Sequence, residues 1–216
     1  MNMDAETELY ILLGNPVSHS LGPVMHNRAL AHTGFNGVYL AFRTEDIGGA
    51  VAGIRALGIK GASVTIPHKI SVIPFLDRLD PDAERIGAVN TIVNQDSRLI
   101  GYNSDAAGAV KALREKTTLK GKSVVIIGAG GAARAIGFGL KSEGAKLAIA
   151  NRTPEKGRGL AKELEADFFP LNEFSQFSPE ILVNTSPVGM YPETDATPVH
   201  KNHLKNGMIV MDIVYN

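Results

Sequence analysis

The 216-residue chain contains no cysteine. That excludes a disulfide framework, a thiolate nucleophile and a Cys-based metal site, and it fits a reducing compartment. There is also no charge excess, because 22 Lys and Arg balance 22 Asp and Glu. The electrostatic footprint needed to hold nucleic acid or an anionic membrane is therefore missing. No apolar run approaches the ~20 residues of a membrane-spanning helix. The first ten residues, MNMDAETELY, are acidic and lack the basic-then-apolar pattern of a signal peptide. The six histidines are scattered, with no H-E-x-x-H or other ligand spacing, so no metal site is assigned. Internal repeats and low-complexity tracts are absent. These absences lead to the expectation of a cytoplasmic protein of one or two domains with a substantial core.

What the chain does have is a glycine-rich turn in a telling context. Lys122 to Arg134 reads KSVVIIGAGGAAR. The apolar stretch Val124 to Ile127 is strand-like, and an alanine-rich segment reads as helix over Ala132 to Ser142. A strand, a G-x-G-x-x-A turn and a helix together indicate dinucleotide binding. Gly128 permits a sharp turn, Gly130 a close approach of backbone N–H groups to a pyrophosphate, and Ala133 close packing of helix on strand. The helix N-terminus would face the phosphates with its positive end.

Leu147 to Ala150 reads as the next parallel strand. At its end, two dozen residues past Gly128, stands Asn151-Arg152-Thr153-Pro154-Glu155-Lys156. An NAD-binding fold usually places Asp or Glu here for the ribose 2′-hydroxyl. Arginine with lysine nearby suits a 2′-phosphate instead, hence NADP. Ile181 to Val183 is a further strand, followed by the small-residue loop Asn184 to Met190, which can lie against the nicotinamide ribose. Met208 to Val214 reads as another buried strand.

The first half shows strands at Leu9–Leu13, Gly37–Phe42 and Ala62–Ile66. Pro23 suits the first turn of a helix over Val24–His32. Thr44 is the expected N-cap of the next helix, whose Ile47, Val51, Ile54 and Leu57 share one face and which ends at Gly58. Ser20 and Gly22 stand at a helix start, where they can hold a carboxylate or polyol, or where Ser20 can serve as a cap. Thr65 and Lys69 follow a strand's C-terminal end, the edge where ligands bind in open α/β sheets. Lys69 is a candidate general acid/base or a solvated loop lysine. His68 stays ambiguous. Ala88 to Val93 is a strand with a polar pair inside it, and the turn at Gln95 to Arg98 predicts a hairpin. Asp105, at the start of a helix over Ala106–Arg114, is either a cap or a functional carboxylate.

In order along the chain, Gly14-Asn15-Pro16-Val17-Ser18-His19-Ser20, Val64 to Lys69, Gly87 to Thr91, Gly101 to Asp105, Gly128 to Ala132, Asn151 to Lys156, Asn184 to Met190 and Asp212 to Tyr215 resemble the motifs of shikimate dehydrogenases. The phrases Phe35 to Tyr39 and Thr65 to Lys69 look most like the dehydrogenase half of enzymes fused to a dehydroquinate dehydratase. The resemblance covers nearly the whole chain and implies a two-domain α/β enzyme. An N-terminal mixed-sheet substrate domain would span residues 1–106. An NADP-binding Rossmann domain would span 107–216. The implied reaction is the reversible NADPH-dependent reduction of 3-dehydroshikimate to shikimate, in aromatic amino acid biosynthesis. Lys69 matches the catalytic lysine and Asp105 its aspartate partner. Ser20, Gly22, Thr65, Asn90, Asp105 and Tyr215 match substrate positions. Gly128, Ala129, Gly130, Gly131 and Ala132 match the pyrophosphate turn, Asn151, Arg152, Thr153 and Lys156 the 2′-phosphate site, and Ile213 a cofactor position. The implied partners are shikimate and 3-dehydroshikimate, with the chain a monomer or homodimer.

The chain departs from the family pattern at three places. Gly22 stands where a second serine is usual, which removes a hydroxyl and makes room for a bulkier polyol such as quinate. Ser104 replaces the usual threonine. The family continues beyond the equivalent of Asn216 with helices that return to the first domain. The expectation is therefore a domain truncated at its C-terminal end, with an inactive NADP-binding fragment and a quinate/shikimate dehydrogenase as the alternatives.

Overall fold

The computed structural model describes residues 3–214. They divide into two compact units, with the boundary between Ser104 and Asp105.

The first unit begins with strand β1 (Glu8–Gly14), helix α1 (Gly22–Thr33), β2 (Gly37–Arg43), α2 (Ile47–Ala56) and β3 (Gly61–Val64). The short strand β4 (Arg78–Leu79), helix α3 (Pro81–Ile86), β5 (Thr91–Gln95) and β6 (Arg98–Tyr102) complete it. Its sheet runs in the order β2-β1-β3-β5-β6-β4. β1 is parallel to β2 and β3, whereas β5 is antiparallel to β3 and β6, so the sheet is mixed. Alternation in β1 sends Ile11 and Leu13 into a core with Ile47, Val51 and Ile54 of α2, and Leu12 to the opposite face with Val17 and Tyr39.

The helix over 47–56 differs from expectation at both ends. Asp46, not Thr44, is its N-cap, accepting from the Gly49 N–H at 2.8 Å. The Thr44 hydroxyl instead donates to the Asp46 carbonyl. Leu57 is 76% exposed, because the helix has ended at Ala56 and the chain turns away through Gly58 at φ +62°. Residues 88–90 also lie outside the strand expected to include them. Gly87, at φ +67°, closes α3, and the chain crosses to start β5 only at Thr91. The hairpin does form: Asp96 and Ser97 both take positive φ, 50° and 69°, as a two-residue turn of primed type requires.

The second unit contains α4 (Asp105–Arg114), β7 (Ser123–Ile127), α5 (Gly131–Ser142), β8 (Lys146–Asn151), α6 (Pro154–Leu164), β9 (Asp167–Pro170), β10 (Ile181–Asn184) and β11 (Ile209–Asp212). All five strands are parallel, in the order β11-β10-β7-β8-β9. β7 is apolar on both faces because both are covered. Val124 and Ile126 pack with residues of α4, α5 and α6, while Val125 and Ile127 pack with Phe169, Phe174 and Leu182. Each such residue, fully buried, contributes roughly 1.5–3 kcal/mol. β11 departs from the buried strand expected at 208–214. It is the sheet's edge, and Val210 is 51% exposed. Among the described residues, no helix is long and apolar enough to cross a membrane, and no group of three or more His, Asp or Glu could hold a metal ion.

Candidate active site

In the first unit, Thr65, Lys69 and Asn90 lie where β1 and β3 end side by side, with the Val64 N–H donating to the Asn90 carbonyl at 2.8 Å. Leu13 pairs with Val64, and the Asn15 N–H donates to the Ile66 carbonyl at 2.8 Å. Gly14 makes this approach feasible, since a Cβ there would overlap the Thr65 methyl. The turn Thr65 to Val72 is held by His68 N–H to Thr65 O and Val72 N–H to His68 O. His68 is only 6% exposed, and its Nε2 sits 2.9 Å from the Thr44 carbonyl. Its role is structural: the ring ties the lysine loop to the end of β2. Lys69, half-buried, is anchored by its backbone, with the Val89 N–H donating to its carbonyl at 2.7 Å.

Asn90 follows directly. Its Nδ2 donates to Ser104 Oγ at 2.9 Å, and its Oδ1 accepts from the Ser104 N–H at 3.1 Å and the Thr91 hydroxyl at 2.9 Å. The Asn103 amide donates to the Ala88 carbonyl. The 103–104 segment is thus laced to the residues beside Lys69, and Asp105 comes next as the first residue of α4. At the start of α1, Ser20 Oγ accepts from the Gly22 N–H at 3.1 Å. A Cβ at Gly22 would lie 3.2 Å from that oxygen and 3.8 Å from the Tyr39 hydroxyl. Tyr39, missed in the sequence, is buried, stacked on His26 at 4.3 Å and gripped at its backbone N–H and carbonyl by the Asn27 amide. Its position in a strand gave no sign of this. Tyr215 lies outside the described residues.

In the second unit, the marked residues sit at the C-terminal ends of parallel strands. Gly128 has φ +115°, which L side chains rarely adopt, and a Cβ there would lie 2.6 Å from Thr185 Oγ1. Thr185 is buried, and its hydroxyl and N–H both donate to the Ile127 carbonyl, at 2.6 and 2.9 Å. Gly130 behaves differently: its φ is −89°, and a Cβ would meet nothing within 4 Å. Gly130 is the N-cap of α5 and Thr153 that of α6, and neither helix start receives a side-chain cap. By contrast α2 and α3 are capped by Asp46 and Asp80. The N–H ends without side-chain caps at the sheet edge, the open space beside Gly130, and exposed Arg152, Thr153 and Lys156 fit a ligand with a pyrophosphate and a further phosphate. Asn151 is occupied locally, its amide donating to the Thr153 carbonyl at 2.8 Å. Ala129, Gly131 and Ala132 line the turn at intermediate exposure, and Ile213 donates its N–H to the Asn184 carbonyl at 3.2 Å.

The mixed sheet and the parallel sheet with its glycine turn define a two-unit α/β protein whose second unit is a Rossmann-like dinucleotide fold. Two family profiles match it. Residues 12–92 match the shikimate dehydrogenase substrate binding domain, and residues 110–190 match shikimate / quinate 5-dehydrogenase. Shikimate dehydrogenase (NADP(+)) of Geobacillus kaustophilus is 49% identical over 97% of this chain and 79% of its own length. A shikimate dehydrogenase solved in complex with NADP+ superimposes with TM-score 0.91 at 43% identity, covering 99% of this chain and 79% of that one. The Thermus thermophilus enzyme, solved with NADP(H) and shikimate, gives TM-score 0.85 at 36% identity over 96% of this chain and 79% of that one. The chain belongs to the shikimate dehydrogenase family.

Proposed function

We propose that the chain catalyses the reversible reduction of 3-dehydroshikimate to shikimate with NADPH, a step of aromatic amino acid biosynthesis. Its membership of the family across both units carries this reading. The first unit is assigned the catalytic lysine and most substrate contacts, and the second the dinucleotide, with Asp105 as its first residue. Arg152, Lys156 and Thr153 would hold the 2′-phosphate, with Asn151 shaping their loop. Gly128 to Ala132 would cradle the pyrophosphate against the uncapped start of α5, with Ile213 at the nicotinamide end. NADPH, when bound, supplies the hydride.

The chain's own chemistry then concerns the ketone oxygen, on which negative charge grows. Lys69 donates a proton there, and its ammonium stabilises the developing alkoxide. Its backbone anchoring to Val89 places it beside the Asn90–Ser104 network. Asp105 is assigned the catalytic carboxylate that meets a neighbouring substrate hydroxyl. Ser20, Thr65 and Asn90 are assigned substrate hydrogen bonds, and Tyr215 is assigned one as well. We place the protein in the cytoplasm, as a monomer or homodimer acting on small molecules.

Gly22 supports a second substrate. What Gly22 changes is the hydroxyl it lacks, since a Cβ there would already lie 3.2 Å from Ser20 Oγ and 3.5 Å from the Tyr39 ring; losing that donor alters which polyol, shikimate or quinate, the site favours. Oxidation of shikimate and of quinate, each with NAD and NADP, tests both readings. The expected result is turnover of shikimate with NADP well above that with NAD. Tight NADP binding with no turnover of either polyol would reject the enzymatic reading.

A further inference from the structure

The amide of Asn184 is 2% exposed at the end of β10, and a buried amide needs its full set of partners. Nδ2 donates to Asp212 Oδ1 at 3.0 Å, to Asp212 Oδ2 at 3.1 Å and to the Val188 carbonyl at 3.4 Å. Oδ1 accepts from the Ser186 N–H at 3.0 Å and from its hydroxyl at 2.7 Å. Asp212 Oδ1 accepts a further bond from the Val214 N–H at 2.9 Å. One carboxylate therefore reaches both segments that leave the C-terminal edge of the sheet, 213–214 directly through the Val214 N–H and 185–190 by way of the Asn184 amide.

The strands do not need this carboxylate in order to pair. β10 and β11 are already joined along their length by the parallel ladder that ends at Asn184 and Asp212. The other end of β10 shows what simple stitching looks like. There Glu180 accepts from Lys122 Nζ at 2.6 Å and from the Ser123 N–H at 3.0 Å, far along the strand from the ligand edge. What Asp212 adds is the direction of the chain after each strand.

We propose that Asp212 is a positioning residue for hydride transfer, setting through Asn184 and Val214 the two segments that border the nicotinamide. This rests on the dehydrogenase reading above. The phosphate-binding elements are β7–α5 and β8–α6; the 185–190 segment meets β7 at Thr185, through two bonds to the Ile127 carbonyl that do not involve Asp212, whose own bonds go to Asn184 and Val214. Loss of Asp212 therefore alters the reacting geometry and leaves most of the binding affinity in place.

The test compares wild type, Asp212→Asn and Glu180→Gln. Asp212→Asn keeps the shape but turns one acceptor into a donor facing the Asn184 amide. Its kcat for shikimate oxidation is expected to fall ~10–100-fold, as small misplacements of reacting groups do. Its NADP Kd by calorimetry should stay within ~3-fold, and the primary isotope effect with deuterated shikimate should rise. Glu180→Gln should lower Tm and leave kcat unchanged. An Asp212→Asn kcat within ~2-fold of wild type, or kcat and affinity falling together, overturns the proposal. If Asp212→Asn does not fold, Asp212→Glu, which keeps the charge, is read by the same criteria. If wild type binds NADPH but turns over nothing, the activity reading fails on its own. The fluorescence anisotropy of bound NADPH then decides this proposal: lower in Asp212→Asn supports it, and equal anisotropy overturns it.

Discussion

The two glycines of the dinucleotide turn should fail in different ways when each is replaced by alanine. At Gly128 the φ of +115° lies beyond the left-handed region open to L residues, and the new Cβ would press on Thr185 Oγ1. Holding alanine in such a conformation costs ~1–3 kcal/mol. Displacing the buried Thr185 hydroxyl from the Ile127 carbonyl costs ~1–3 kcal/mol more. Gly128→Ala should therefore lose ~2–6 kcal/mol, or very roughly 5–20 °C in Tm at ~2–4 °C per kcal/mol for a chain of this size. At Gly130 the backbone is extended and a Cβ meets nothing, so Gly130→Ala should cost less than ~1 kcal/mol, mostly the poorer N-cap. The same Cβ fills the space a pyrophosphate would enter, so NADP affinity should drop at least ~10-fold, about one lost charge-assisted hydrogen bond. Thermal melts without ligand and calorimetric titration with NADP separate the two effects. A Thr185→Ala background should also relieve part of the Gly128→Ala cost, as contacting residues couple. Equal stability losses at the two glycines, or full NADP affinity in Gly130→Ala, would refute the division between a glycine for the turn and a glycine for the ligand.

Lys69→Ala should lower kcat at least ~100-fold with an unchanged melting curve, as expected for loss of a general acid, and near wild-type turnover would sink the assignment. Arg152→Ala should raise KM for NADP ~10–100-fold, the value of one charge-assisted phosphate bond, and leave KM for NAD nearly unchanged; equal effects on both would move the 2′-phosphate elsewhere. Asp77 accepts from Arg55 at 2.7 Å and from the Leu99 N–H at 2.7 Å, and these bonds, that from Arg55 foremost, hold its carboxyl below the usual carboxylate range. Because its folded-state pKa is depressed, its contribution is present above the ordinary carboxylate range near ~4 and is lost as pH falls below it. Asp77→Asn should accordingly flatten the acid limb of a Tm–pH curve, and an unaltered limb would exclude Asp77 as a contributor.

The second unit was the more legible in the sequence, for a physical reason. A fully covered parallel strand reads as a continuous apolar run, and a turn at positive φ demands glycine, so Val124 to Ile127 and Gly128 announce themselves locally. The errors arose where position depends on neighbours. Thr44 and Asp46 are both good caps, and only the path out of β2 decides between them. Leu57 fits the helical period but falls after the helix has ended. Met208 to Val214 looks buried by composition, yet an edge strand has only one neighbour. Asn184, Thr185 and Asp212 were visible only as parts of motifs. The hydrogen bonds between Asn184 and Asp212 link residues 28 apart in the chain and leave no periodic trace.

The same reasoning explains why the chemistry was harder to read than the fold. Taken alone, Ser20 reads as a cap, Lys69 as a solvated loop lysine and Asp105 as a helix start, because each local role is sufficient. At Lys69 the structure adds convergence. Val89 bonds the Lys69 carbonyl, Asn90 bonds both the backbone and the side chain of Ser104, and Asn103 bonds Ala88. Four polar links thus tie loops after β3, before β5 and after β6 to one edge of a mixed sheet. Holding buried or half-buried amides in this way costs desolvation, which is offset only when every partner is present. The general-acid role proposed for Lys69 calls for such anchoring, since its proton must meet the oxygen as charge develops there.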